Sequence, residues 1–145
     1  MFRSALAVLA GLAVLTIGSF AIELAVNPLL LRAFPAALPN DAALAANLWV
    51  KGLTIAYSLA CIGAGGYMTA VIAKRSPIQH AAVLGVLQAA LTVVAMLSPE
   101  AYHASRLQWI LTAIVSIPAA LAGAAVYSHR NAHTGSTEVA RRAGP

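Results

Sequence analysis

Two ionisable side chains, Glu23 and Lys51, fall inside long apolar runs, where charge is costly and marks function unless it is paired. Glu23 reads as lying about a helical turn inside the outer end of the first run, and Lys51 at comparable depth near the start of the second. Antiparallel neighbours would join them as an ion pair, and Lys51 is long enough to reach the interface besides. The alternative is a proton or cation site centred on Glu23. Gln88 is the deepest polar side chain; hydrocarbon offers its amide no partner, so an interhelical hydrogen bond is expected, with Tyr57 the candidate. Pro118 frees the carbonyl of Ile114, which Thr112 or Ser116 is placed to satisfy.

His80 and His129 fall near the same ends of the third and fourth runs, the arrangement two axial haem ligands would need. His129 and His133 share helical spacing within a polar tail. Histidines at an interface are more often solvated or paired with headgroups, so no cofactor and no metal is expected. Cys61 is alone and can form no internal disulfide. No serine, cysteine or aspartate is placed with a base, and no paired carboxylates occur, so the sequence does not read as an enzyme.

The stretch GAGGYMTAVIAKR, Gly63 to Arg75, has the glycines and basic residues of a phosphate cradle. Such a loop needs a strand before it and a helix N-terminus after it, whereas here the glycines fall inside an apolar run. Gly52, Ala56, Ala60 and Ala64 form a row of small side chains, which Gly63, Gly66 and Ala70 widen. Matching rows are Ala81, Gly85 and Ala89; Ala119 and Gly123; and Ala7 with Gly11. Small residues let helices approach closely in lipid, so these rows read as packing faces and not as a ligand site.

The elements that carry these residues follow from composition. The chain has 145 residues, 61% of them hydrophobic and 9% charged, and a domain this small has no interior that could hide so much apolar surface from water. A helix needs about 20 apolar residues to cross roughly 30 Å of hydrocarbon. Four segments qualify: Ser4–Val26, Ala46–Ala73, Ile78–Leu97 and Leu107–Tyr127. Without water, runs of this length must bond their backbones internally, which requires helices. Asn27-Pro28 is expected to stop the first, Ser76-Pro77 to open the third, and Ser98-Pro99 to follow its end.

Basic residues near spans stay in the cytoplasm, and Arg3, Lys74, Arg75, Arg130, Arg141 and Arg142 share one side against Arg32 and Arg106 on the other. Both termini are therefore expected to be cytoplasmic. Trp49 and Trp109 land near the outer boundary, where an amphipathic ring is comfortable. The N-terminus also resembles a signal peptide ending at Ser19-Phe20-Ala21, but the apolar run continues through Val26, so an uncleaved anchor is preferred. The connection Asn27 to Ala45 is expected on the membrane surface, with Asp41 as a helix cap. The polar residues 128–145 are expected to be a disordered cytoplasmic tail. The net charge of +5 comes with no continuous basic face and no stacking platform, so nucleic acid is not an expected partner.

The segment GGYMTAVIAKRSPIQHAAVLG, then SPEAY, a tryptophan and SIPAALAGAAV, resembles a group of small bacterial four-helix membrane proteins to which no activity is assigned. They share Gly-Gly-aromatic-x-x-Ala in the second helix and Pro-Ala-Ala-Leu-x-Gly in the fourth. The likeness covers about the last two-thirds of the chain and implies that fold. Small multidrug exporters also place a glutamate in the first of four helices, but theirs lies at mid-membrane and their first loop is shorter.

The sequence thus leads to an all-α, four-helix transmembrane bundle of the bacterial inner membrane, with the lipid bilayer as its surroundings. Its expected role is helix–helix interaction, as an accessory or scaffolding subunit beside other membrane subunits or copies of itself. The alternative is a small oligomeric transporter or channel with Glu23 as its ion or proton site, and a haem-binding protein comes third.

Overall fold

The computed structural model describes residues 2–74, 76–97 and 106–143, with side chains placed for 4–74, 76–97 and 106–132. The described residues form five helices: α1 (Phe2–Ala33), α2 (Asp41–Ala46), α3 (Leu48–Ala73), α4 (Pro77–Met96) and α5 (Arg106–Ala143). Four of them, all but α2, are long and apolar enough to cross a membrane. Large apolar side chains such as Ile17, Phe20, Leu24, Val94 and Ile114 point outward, on a surface that water would not tolerate. A multi-pass helical membrane protein accounts for both facts.

Helix α3 is the axis of the arrangement. It packs along α1 and along α5, α4 packs along α5, and α1 touches α4 only lightly. Gly11 lies against Gly65 and Gly18 against Cys61, so α1 and α3 run antiparallel. Gly63 lies against Ala119 and Tyr67 against Gly123, so α3 and α5 run parallel, whereas Ala81 packs with Ala124 and Gly85 meets Ile117, so α4 and α5 run antiparallel. Both described chain ends therefore lie at one end of the bundle, and the α1–α3 connection lies at the other.

Toward the termini the helices are separated by almost nothing but backbone. A methyl group on Gly65 would come within 2.7 Å of the Gly11 carbonyl oxygen, one on Gly85 within 2.8 Å of the Ile117 Cα, and one on Gly66 within 2.9 Å of the Ala120 Cα. On Gly123 it would collide with the Gly63 carbonyl. Lipid gives helices no hydrophobic reason to associate, so this backbone contact and its dispersion energy are what hold the spans together. Fully buried Ile62, Leu84, Thr69 and Ser116 fill the remaining space. Thr69 and Ser116 donate their hydroxyl hydrogens to the carbonyls of Gly65 and Thr112, at 2.9 and 2.6 Å, which removes the cost of burying them. Tyr67 and Tyr127 close this end with ring centroids 5.7 Å apart at 88°.

The structure departs from the sequence expectations in several places. Helix α1 does not stop at Asn27-Pro28 but carries Pro28 inside it and ends at Ala33. The loss of one amide bond is offset by Leu30, which is buried with Leu38, Leu44 and Val50 in a small core made by the connection. The cap of α2 is Asn40, which accepts from the Ala43 amide at 2.9 Å, and not Asp41. Asn47 then breaks the chain and caps α3 through the Trp49 amide at 2.9 Å. Ser76 precedes Pro77 as expected but gives no side-chain cap; both it and Lys74 take φ of 51° to reverse the chain. Helix α5 continues past Tyr127 to Ala143, where a disordered tail was expected, because each residue added to an existing helix gains a bond without a new nucleus. Arg75 and Ser98-Pro99, with the rest of SPEAY, lie outside the described residues, as do the side chains of Arg3, His133, Arg141 and Arg142.

Candidate functional site

Toward the α1–α3 connection the glycines end and the helices separate. Because α1 does not pack along α5 and barely meets α4, their facing sides leave a cavity of about 310 Å³. Leu15 and Ile62 line it on the side of the glycine contacts. From α1 come Ser19 and Glu23, one turn apart on one face. From α3 come Thr54, Tyr57 and Ser58, and from α4 Gln88 and Thr92. The first turns of α5 add Gln108, Trp109 and Thr112. Polar residues scattered over four stretches of sequence thus converge on one space inside the apolar bundle.

Glu23 is the only charged side chain among the described residues that line the cavity, and its own surface is exposed, so the cavity reaches the outside beside it. The continuation of α1 to Ala33 changes its depth. Ten residues follow Glu23 in the helix, placing it roughly 15 Å from that helix end and not a single turn from it. The same continuation sets the register against α3. Gly18 lies against Cys61, and Val26, Leu31 and Leu53 pack against the small core that holds Val50, which leaves Glu23 level with Thr54 and Tyr57, beyond Lys51. Among the described residues no ion pair joins Glu23 to Lys51: the expected pairing fails because the two were placed at equal depth.

Gln88 also finds a different partner. Its Nε2 lies 3.4 Å from Thr92 Oγ1, within α4, and Thr92 Oγ1 donates to the Gln88 carbonyl at 2.8 Å. Tyr57 shares the cavity with Gln88, but no hydrogen bond between them is present among the described residues. Thr112 donates to the Gln108 carbonyl at 2.9 Å and Ser116 to that of Thr112, so both hydroxyls serve carbonyls other than that of Ile114. Trp109 was expected at the membrane boundary like Trp49. Trp49 is exposed in the first turn of α3, whereas Trp109 forms part of the cavity wall with its Nε1 buried and, among the described residues, without a hydrogen-bond partner.

The small-residue rows divide. Gly63, Gly66, Ala81, Gly85 and Gly123 are in the helix contacts, Ala7 and Ala70 are fully buried, and Ala89 and Ala119 are half-buried. Gly52 has nothing within 4 Å of where a Cβ would be, and Ala56, Ala60 and Ala64 are exposed. A row at four-residue steps drifts about 40° each time around a helix, so Ala56 to Ala64 turn progressively away from the face that carries Gly66 and Ala70. One groove in the sequence is therefore two faces in the fold.

His80 Nδ1 lies 3.0 Å from the Ser76 carbonyl, a contact local to the turn, and His129 is exposed on α5. Among the described residues no three His, Cys, Asp or Glu side chains stand together as a metal site would require. Cys61 is buried beside Leu15 and Leu84. The cavity itself was not foreseen. Its signal was present in Ser19, Thr54, Ser58 and Thr92, which recur on the helix faces that also carry Glu23, Tyr57 and Gln88. No protein-family model, curated protein or solved structure matches the chain.

Proposed function

We propose that the chain is a four-span protein of the bacterial inner membrane, with both termini cytoplasmic, which takes a small solute into its cavity and acts as a small transporter with Glu23 as the ion or proton site. The carrying observation is the cavity: a carboxylate on an apolar helix borders a space lined by hydroxyls, amides and two aromatic rings. Placing that many polar groups along helices that cross lipid is costly without a use for them. The glycine-packed half lies between this space and the terminal end, which is the form of a binding pocket and not of an open pore. Lys74 and Arg130 at the terminal end support the orientation.

The test is flux in vesicles containing the purified protein and an internal pH dye. Guanidinium and tetramethylammonium, which stay charged and cross lipid poorly, should drive proton movement above that of empty vesicles. Glu23→Gln should remove the difference while eluting as the same folded species. Flux equal to that of empty vesicles with every probe would count decisively against transport.

A second reading, an accessory or scaffolding subunit, is favoured by the outward row Gly52, Ala56, Ala60 and Ala64, whose backbone lies open to another helix. Purification in mild detergent tests it. A partner or second copy retained by the wild type should be lost from Ala60→Leu, and a chain that runs alone would exclude it.

A further inference from the structure

We infer that the solute is an amphipathic organic cation taken from the bilayer, its charged head in the cavity against Glu23 and its tail leaving sideways between α1 and α4 into the lipid. This deepens the reading of the cavity as a solute site and rests on it. The sign of the charge follows from the wall. Glu23 is the only charged side chain among the described residues that line the cavity, and Lys51 is not one of them. The hydroxyls and amides there both donate and accept, so they serve a head of either sign. A lone carboxylate at membrane depth does choose: it attracts a cation and repels an anion. The ring of Tyr57 in the same wall favours a cation as well.

The route follows from the seam between α1 and α4, which run parallel. They touch where a methyl group on Gly11 would come within 3.1 Å of the Leu84 side chain. Climbing α1 from there at four-residue steps gives Leu15, Ser19 and Glu23, and climbing α4 gives Gln88 and Thr92. All five line the cavity, so past the contact of Gly11 with Leu84 the space lies between these two helices. The rim of that gap is apolar and turned outward: Phe20 and Leu24, on either side of Glu23 on α1, and Leu91, three residues past Gln88 on α4, are all exposed. Glu23 is itself exposed roughly 15 Å from its helix end, a depth at which a span is surrounded by hydrocarbon. A tail left in the lipid keeps its apolar surface out of water and takes no room in the cavity, whose volume of about 310 Å³ then has only the head to hold.

The probe is 6-(4-benzoylphenoxy)hexyltrimethylammonium, a permanent cation with a photoreactive benzophenone at the far end of its tail. It is photolysed with the full chain in nanodiscs, and the adducts are mapped by mass spectrometry with and without excess hexyltrimethylammonium. The adducts that the competitor removes should fall on residues 16–24 of α1 and 87–94 of α4. Glu23→Gln should lose them while eluting as the same folded species, and Glu23→Asp, which keeps the charge, should retain them. Removable adducts confined to α3 and α5 would put the tail inside the bundle, and removable adducts that persist in Glu23→Gln would put the head elsewhere. Either result overturns the inference although the solute site stands. If the competitor removes no adduct at all, both are wrong.

Discussion

In the half of the bundle nearest the termini, glycines bring α3 against α1 and α5 until backbone meets backbone, and α4 closes on α5 in the same way through Gly85. In the half nearest the α1–α3 connection the same four helices hold a polar cavity between them. One half carries small residues where the helices meet, and the other carries hydroxyls, amides and a carboxylate. The difference separates the part of the molecule that holds the spans together from the part that is open to a guest. It also explains how α1 can border the cavity without destabilising the rest. Its main contacts are with α3, and α4 and α5 keep each other's company without it.

Substitutions that respect this division should differ widely in size. Gly66→Leu drives a side chain into the Ala120 backbone, where nothing can yield but the helix itself. It should cost more than about 3 kcal/mol, read by unfolding in mixed micelles of mild and denaturing detergent. Leu84→Ala, at a fully buried position between α1 and α3, should cost about 2–4 kcal/mol in the same assay. In the cavity half the expectation changes. Gln88→Leu removes only a long 3.4 Å hydrogen bond and should shift stability by less than about 1 kcal/mol, while lowering guest binding in nanodiscs. Gly52→Val faces open space and should lie within about 0.5 kcal/mol of the wild type. Should Gln88→Leu prove as damaging as Leu84→Ala, the cavity would be part of the scaffold and the contrast between the halves would fail.

Much of the architecture was legible because a bilayer leaves so few options. Length and apolarity alone pick out the four long apolar helices, and Gly63 and Gly66 of the glycine stretch lie at helix contacts. The site was less legible, for reasons of depth and angle. Pro28 and Asn27 look like a stop, yet the apolar Leu29-Leu30-Leu31 that follow find a core of their own and carry the helix on. That single difference moved Glu23 inward and out of line with Lys51. Gln88 satisfies itself along its own helix, which no pairwise search between helices would have found. Trp109 and Trp49 have equivalent sequence contexts at the ends of spans, and only the rotation of each helix decides which ring turns inward.

The parallel contact of α3 with α5 also has a consequence for biogenesis. Gly66 is made 54 residues before Ala120, the residue it must touch, and the face of α4 at Gly85 waits for the same helix. At about 5–20 residues per second, a nascent chain spends roughly 3–11 s with those glycine surfaces uncovered after they leave the ribosome. During that interval α1 and α3 can already pair. The last span to be synthesised is the one that locks the others, so a ribosome stalled within α5 would leave three spans in the membrane with their most adhesive faces open to whatever helix arrives next.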